Sequence, residues 1–297
     1  MSGLTKAVNL SVVIATFQGE KRILTTLKSL ETQTFKDFEA VIVIDGSSDN
    51  TASVIRAANL QLDLKIVVQV NKGRAGARNT GVAYAKADVI VFFDDDVVVP
   101  PSALLLYYTR WQKQIPVAVG SFYPIATVQN EFAKYCAYLN NKWSVSVLSK
   151  DESIMTRPYL SAANCMIDKK IFKSVNGFDE TLRDAEDFDL AVRLFKANIQ
   201  ILYIPEISVG HAIQQNFKQY AERLKQYKFA QQALKKRNRG VNKFMSADYK
   251  MTWLKRVCFV IVSNHFFVNL IDVGLFRFLP LRFRFKVYDV ILTGFTV

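Results

Sequence analysis

The sequence predicts an α/β fold: a mostly parallel central sheet flanked by helices, followed by a basic helical C-terminal extension. Three observations carry this. Short β-branched runs alternate with helical stripes from Val8 to Pro101. The run Val89–Phe93, VIVFF, shows no polar alternation and reads as a strand buried on both faces. The net charge of +13 is lopsided, with 16 Lys and Arg against 4 acidic residues in 212–297 and 23 against 22 in 1–211. Residues 1–211 therefore read as a nearly neutral, enzyme-like domain and 212–297 as a cationic appendage.

Each element follows from local pattern. Val8–Phe17 is an apolar β-branched strand, and Glu20–Thr34 spaces Ile23, Leu27 and Leu30 as one helical face. Ala40–Ile44 is a second strand ending in DGSSDNT, where Asp49 is placed to cap a helix carrying Val54, Ile55 and Ala58. Leu64–Val70 is a third strand. NKGRAGARNTG is expected to be a loop entering a helix that runs through Ala83 and Ala87. A helix over Ser102–Gln114 and a strand over Val117–Phe122 follow the buried strand. Tyr123–Tyr159 is irregular and aromatic-rich, with Tyr135, Tyr138 and Trp143 open to two readings, stacking on an acceptor sugar or plain packing. Leu160–Ile167 is a further apolar run, with Asp168 capping a short helix around Ile171. GFDETLRDAEDFDLAVRLFKAN opens an acidic helix that buries Leu190, Val192, Leu194 and Phe195. Ile199–Ile204 and Ile207–Val209 are strands leading to Gly210 and His211.

In parallel sheets ligands gather beyond the carboxyl ends of the strands, and here those ends are Thr16, Asp45 and Asp94 to Asp96. Two carboxylates about 5 Å apart repel by roughly 3 kcal/mol at an effective dielectric of about 20, so three in succession call for a divalent cation or for open solvent. Asp94 and Asp96 lie on one side of an extended chain and suit Mg2+ or Mn2+. His211 joins them if its strand ends nearby. Lys72, Arg74 and Arg78 are placed to meet phosphate. Glu186, Asp187 and Asp189 either serve the helix dipole or point one carboxylate into the crevice as a general base. No GxGxxG follows the first strand, which counts against a dinucleotide-binding dehydrogenase, and no GxxxxGK[ST] phosphate loop is present. Three separated cysteines fit no zinc spacing, and MSGLTKAVNL has no run long enough for a signal peptide, so the expected setting is cytoplasmic.

The ordered set SVVIATF, VIVIDGSSDNT, NKGRAGARNTG, FFDDDVVVP, GFDE, AEDFDLAVRL and VGHA resembles the family 2 glycosyltransferases, which have the GT-A fold. The resemblance covers about Ser11–His211 and implies inverting, metal-dependent transfer from a UDP-, GDP- or dTDP-linked sugar. It places Thr16, Phe17 and Asp45 in the nucleoside pocket, with Arg74 and Arg78 in the loop that holds the diphosphate. Asp94 and Asp96 match the ends of the DxD motif, the first touching ribose or metal-bound water and the second the Mn2+ or Mg2+ ion. His211 matches a further metal ligand and Asp187 the catalytic base. Three successive Asp leave the register open by one, so Asp95 stands with Asp94 on the nucleotide side. Ala15, Phe17 and Gln18 stand where members commonly have Pro, Tyr and Asn, so the tyrosine contact does not carry over. QxxRW is absent, which favours single-sugar addition over a polymerising synthase subunit. A catalytically silent sugar-nucleotide binder or scaffold is the reading from another class.

Gln214–Arg239 reads as a long basic helix. Trp253–Leu281 is too short and polar in its apolar core to span a bilayer. Lys255, Arg256, Arg277, Arg282, Arg284 and Lys286 are interleaved with aromatic residues and suit an anionic membrane surface. Packing onto the catalytic domain or a homodimer contact is the competing reading, and no nucleic-acid module is visible. The expectation is a peripheral enzyme at the cytoplasmic face of the membrane, acting on a glycan or lipid-linked saccharide.

Overall fold

The computed structural model describes residues 8–125, 131–147, 150–212, 216–237, 241, 243–244 and 252–296. The side chains of 140–147, 212, 254–256, 258, 260, 265, 272 and 296 lie outside that description, and with them the readings on Trp143, Lys255, Arg256 and Cys258. The chain divides into one compact unit of Met1–Ile125 with Asn140–Ala212 and another of Ala126–Leu139 with Ile213–Val297.

Among the described residues the first unit forms a mixed sheet of nine strands: β1 Leu10–Thr16, β2 Phe38–Asp45, β3 Asp63–Gln69, β4 Val89–Asp94, β5 Val97–Val98, β6 Val117–Ile125, β7 Ser153–Ile154, β8 Asn164–Asp168 and β9 Leu202–Ala212. Their order is β3-β2-β1-β4-β8-β6-β9-β5, with β7 on β9. The first four strands are parallel; β1, β2 and all of β4 but Asp94 are buried along almost their whole length, as their continuous apolar runs predict, while β3 at the edge is half-buried to exposed. Beyond them β8 runs antiparallel between β4 and β6.

Helices α1 Ile23–Glu31, α2 Thr51–Ala57, α3 Gly73–Tyr84 and α4 Ala103–Gln112 cover the sheet, with Ile23, Leu27 and Leu30 of α1 buried as their spacing predicts. Helix α2 starts after Asn50, and Asp49 acts one step earlier by accepting the Thr51 N–H. Helix α3 corrects the loop reading of NKGRAGARN, because it begins at Gly73. Its small residues let it lie flat on the sheet: Ala75 and Ala77 are buried, and a Cβ on Gly81 would stand 2.3 Å from Val13.

α5 Glu131–Val147 replaces the expected irregular stretch and spans the boundary between the units. α6 Lys169–Ser174 is capped by Asp168, whose carboxylate accepts from the Lys170 and Ile171 N–H groups. α7 Glu186–Lys196 buries Leu190, Val192 and Leu194, while Phe195 is only partly buried. β9 joins the two expected strands into one, with a register shift opposite Gly120/Ser121 of β6.

The second unit has its own core. α8 Phe217–Arg237, α9 Trp253–Val262, α10 His265–Asp272, a 3-10 turn Leu275–Phe278 and α11 Leu281–Thr296 bury Phe132, Tyr135, Phe217, Tyr288, Ile291 and Phe295. Tyr135 settles as packing: its hydroxyl donates to Asp289 at 2.7 Å and its ring meets Phe285 and Tyr288. No helix among the described residues is long and apolar enough to cross a membrane.

Candidate active site

Because β1, β2 and β4 are parallel neighbours, their carboxyl ends share one edge, where Ala15 stands opposite Asp94 and Thr16 opposite Ile44. The loops leaving them are latched together. The Gln18 N–H donates to Ser47 Oγ at 2.9 Å, the Gly19 N–H to Thr51 Oγ1 at 2.9 Å and the Glu20 N–H to Asp49 Oδ2 at 3.0 Å. Gln18 takes a left-handed φ of 52° to make this turn. Phe17 is held out to solvent beside it, 48% exposed.

Asp45 ends β2 almost fully buried. Its Oδ1 accepts from Gln69 Nε2 at 2.7 Å and from the Lys72 N–H at 2.8 Å, which ties the start of α3 to the strand end. Its Oδ2 takes no hydrogen bond among the described residues and remains available as an acceptor.

The three successive aspartates separate by direction. Asp95 turns inward, where Thr16 Oγ1 donates to it at 2.5 Å and Arg22 Nε at 2.8 Å. Burial keeps its carboxyl above the usual range in spite of those partners. Asp94 and Asp96 face the other way, and β9 supplies the third group. Antiparallel pairing sets His211 opposite Val97, next to Asp96, with its Nε2 3.4 Å from Asp96 Oδ1. One ligand atom each from Asp94, Asp96 and His211 lies within 4.8 Å of the others. Burial pushes Asp96 up, and the charges of Asp94 and Asp95 add to it against the pull of His211. Two carboxylates and an imidazole, crowded and partly desolvated, fit a divalent cation of the Mn2+ class.

Arg78 lies buried under this cluster with its guanidinium divided between two acids. Nη1 donates to Glu186 Oε1 at 2.6 Å and Nη2 to Asp94 Oδ1 at 2.9 Å, over the ring of Phe178. Burial alone would raise Asp94, but Arg78 outweighs it, with Arg74 and His211 assisting, and the carboxyl is held low. Arg74 is exposed and stands 3.4 Å from Asp184.

Helix α7 presents three acids in its first turn after a left-handed Ala185 at φ 66°. Glu186 is committed to Arg78, and Asp189 to Arg193 at 2.7 Å. Among the described residues Asp187 accepts only the Phe188 N–H. Burial, reinforced by Glu186, pushes its carboxyl up to about 6 against the opposing pull of Arg78. A carboxylate with no cation of its own and a raised pKa is a serviceable proton acceptor near neutral pH.

Residues 11–175, more than half of the chain, match the family described as glycosyl transferase family 2. The chain belongs to that family. The chain of this family 2 glycosyltransferase spans about a fifth to two fifths of the length of the curated relatives it matches. One is the GalNAc(5)-diNAcBac-PP-undecaprenol beta-1,3-glucosyltransferase of Campylobacter jejuni, 35% identical over 88 residues, 28% of each chain. Among solved structures, S. aureus TarS 1-349 in complex with UDP is 17% identical with a TM-score of 0.55, covering 97% of this chain and 90% of that one. GalNAc-T7 with UDP, GalNAc and Mn2+ is 16% identical with a TM-score of 0.55, covering 70% and 44%. These likenesses show the GT-A fold.

Three participants escaped the sequence reading: Arg22, Glu186 as the partner of Arg78, and Tyr159. Tyr159 is raised by burial and by the nearby charge of Asp187. Glu186 and Arg78 are 108 positions apart and Arg22 and Asp95 73 apart, separations at which only the folded sheet reveals a pair.

Proposed function

We propose that the first unit transfers a sugar, with inversion, from a nucleoside diphosphate sugar to an acceptor hydroxyl, with Asp187 as general base. The single observation that carries this is the position of Asp187: the one first-turn acid of α7 without a cationic partner among the described residues, raised to about 6. Asp187 takes the acceptor proton as that oxygen attacks the anomeric carbon, and the bond to the diphosphate oxygen breaks on the opposite face. Asp94, Asp96 and His211 would hold a divalent ion. When bound, such an ion supplies charge stabilisation to the departing diphosphate. The donor set of two carboxylates and an imidazole favours Mn2+ over Mg2+, since Mg2+ prefers oxygen ligands.

The free Oδ2 of Asp45 and the exposed ring of Phe17 are the nucleoside-facing groups, and the exposed Arg74, 3.4 Å from Asp184, is a cation that can turn toward phosphate. Arg78 is assigned elsewhere: fully engaged and buried, it positions Asp94 and Glu186. Asp95 and Thr16 brace the strand end in the same way. UDP and UDP-GlcNAc complexes of TarS support a UDP-linked donor. The Campylobacter relative's name supports a lipid-linked saccharide as acceptor.

The test is nucleotide release from UDP-, GDP- and dTDP-sugars with Mn2+ or Mg2+, with and without a lipid extract, in wild type, Asp187→Asn and Asp96→Ala. Metal-dependent turnover lost by about 10²–10⁴-fold in Asp187→Asn is expected. Tight nucleotide binding without turnover under every condition would establish a silent binder instead.

A further inference from the structure

We propose that the second unit carries an in-plane membrane-binding face, formed by the exposed sides of α9 to α11, that docks on an anionic lipid bilayer. The observation is a set of apolar residues left exposed at helical spacing, on α10 and α11 opposite the buried side of the same helices. On α9, Trp253, Val257 and Ile261 are four residues apart and all exposed, Trp253 by 71%. On α10, Phe266 is exposed while Val268 and Ile271 are buried, and Val273, seven residues after Phe266, is 75% exposed just past the helix. The 3-10 turn exposes Leu275 and Phe278, three residues apart, and Phe278 is 78% exposed. On α11 Phe283 and Val290 share a face with Lys286, while Tyr288, Ile291, Leu292 and Phe295 fill the core. Scattered exposed leucines are ordinary on a soluble surface, whereas exposed aromatic and β-branched residues recurring at three- and four-residue intervals on successive elements are not.

Charge identifies the occupant. Residues 252–296 hold six Lys and Arg against two Asp. Arg277, Arg282 and Lys286 are exposed among the apolar groups, and Lys286 Nζ lies 5.6 Å from the centre of the Phe283 ring. Arg284 is spent inside the unit on Glu131, and Asp289 is engaged by Tyr135. Rings at the headgroup level with cations reaching phosphate describe an interfacial helix. Spanning is excluded by length: α9 has 10 residues and α10 has 8, against the roughly 20 a span needs, and α11 carries three cations in its first six residues. A second copy of the chain is disfavoured because pairing this face with itself would bring like charges together.

The experiment is flotation of the full chain with vesicles of phosphatidylcholine alone or with 30 mol% phosphatidylglycerol, alongside light scattering for oligomeric state. It uses no nucleotide sugar, so its outcome is independent of the proposed transfer. Wild type is expected to float with the anionic vesicles, less at high salt, and not with the neutral ones. Arg277→Gln with Arg282→Gln should weaken partitioning about thirtyfold, at about fivefold per basic residue. Phe278→Glu should abolish flotation, and Phe266→Glu should weaken it, while both exposed substitutions leave the thermal midpoint unchanged. Folded protein that floats with neither vesicle, flotation indifferent to all these substitutions, or a dimer that the Phe278→Glu substitution dissociates would each overturn the proposal.

Discussion

Replacing Arg78 with Met tests the electrostatic core of the site. Arg78 and Glu186 are each about 95% buried, and the guanidinium holds Glu186 at 2.6 Å and Asp94 at 2.9 Å. Removing the cation strands Glu186 without water and deprives Asp94 of the group that holds it ionised. Breaking a buried pair of this kind costs about 3–5 kcal/mol, a large part of the roughly 5–15 kcal/mol by which a typical domain is stable. A surface pair costs about 0–1 kcal/mol, so the two cases are separable. The assay is a double-mutant cycle of Arg78→Met, Glu186→Gln and the pair, by urea denaturation at pH 7. Once Glu186 is neutral, losing Arg78 strands only one acid, so the double variant should be more stable than the sum of the two losses by about 1–3 kcal/mol. Additive losses, or less than 1 kcal/mol for Arg78→Met with a raised donor KM, would refute the bridge and return Arg78 to the diphosphate.

Further expectations follow from the same geometry. Turnover should fall about tenfold per pH unit below about 6, where Asp187 gains its proton, and a rate flat to pH 5 would exclude it as base. The same carboxyl is raised in the fold, so its share of stability is full below its ordinary value near 4 and lost as pH rises through about 6. The metal-free Asp187→Asn variant should therefore match wild type in thermal midpoint at pH 3.5 and exceed it at pH 8. His211→Ala should weaken Mn2+ binding about tenfold or more, read by electron paramagnetic resonance of the free ion, with UDP binding in metal-free buffer unchanged. Gly19→Ala places a Cβ 2.0 Å from Thr16 Oγ1 and 3.0 Å from Asp95 Oδ2, so the Thr16–Asp95 bond must break. A loss of about 1–3 kcal/mol in denaturant unfolding is expected.

The parallel half of the sheet was legible because strands buried on both faces leave continuous apolar runs, as in Val89–Phe93 and Ala40–Ile44. What pattern could not supply was conformation set by tertiary contact. The stretch NKGRAGARN reads as a loop by composition, yet from Gly73 on it forms the first turns of α3, a helix seated on the sheet through buried Ala75 and Ala77 and, beyond the stretch, through Gly81 against Val13 and Val43. The aromatic stretch around Tyr135 likewise lacks a local signal: it is organised by Phe285, Tyr288 and Asp289, about 150 positions away.

The site shows the same division between residue types and their commitments. Alternation along an extended chain already put Asp94 and Asp96 on one side, and the fold adds why Asp95 differs: Thr16 and Arg22 wait for it on the other. For the base, the sequence offers three acids in one helical turn, all equally suited to the helix dipole. Their roles separate only when cations are assigned. Arg193, four residues on, takes Asp189, and Arg78, arriving from α3, takes Glu186. Asp187 is left half-buried with a single backbone N–H, beside a second carboxylate. That isolation raises its proton affinity into the range where an acceptor hydroxyl's proton can be taken up at neutral pH. The cations that pair its neighbours are therefore as much a part of the base as the carboxylate itself.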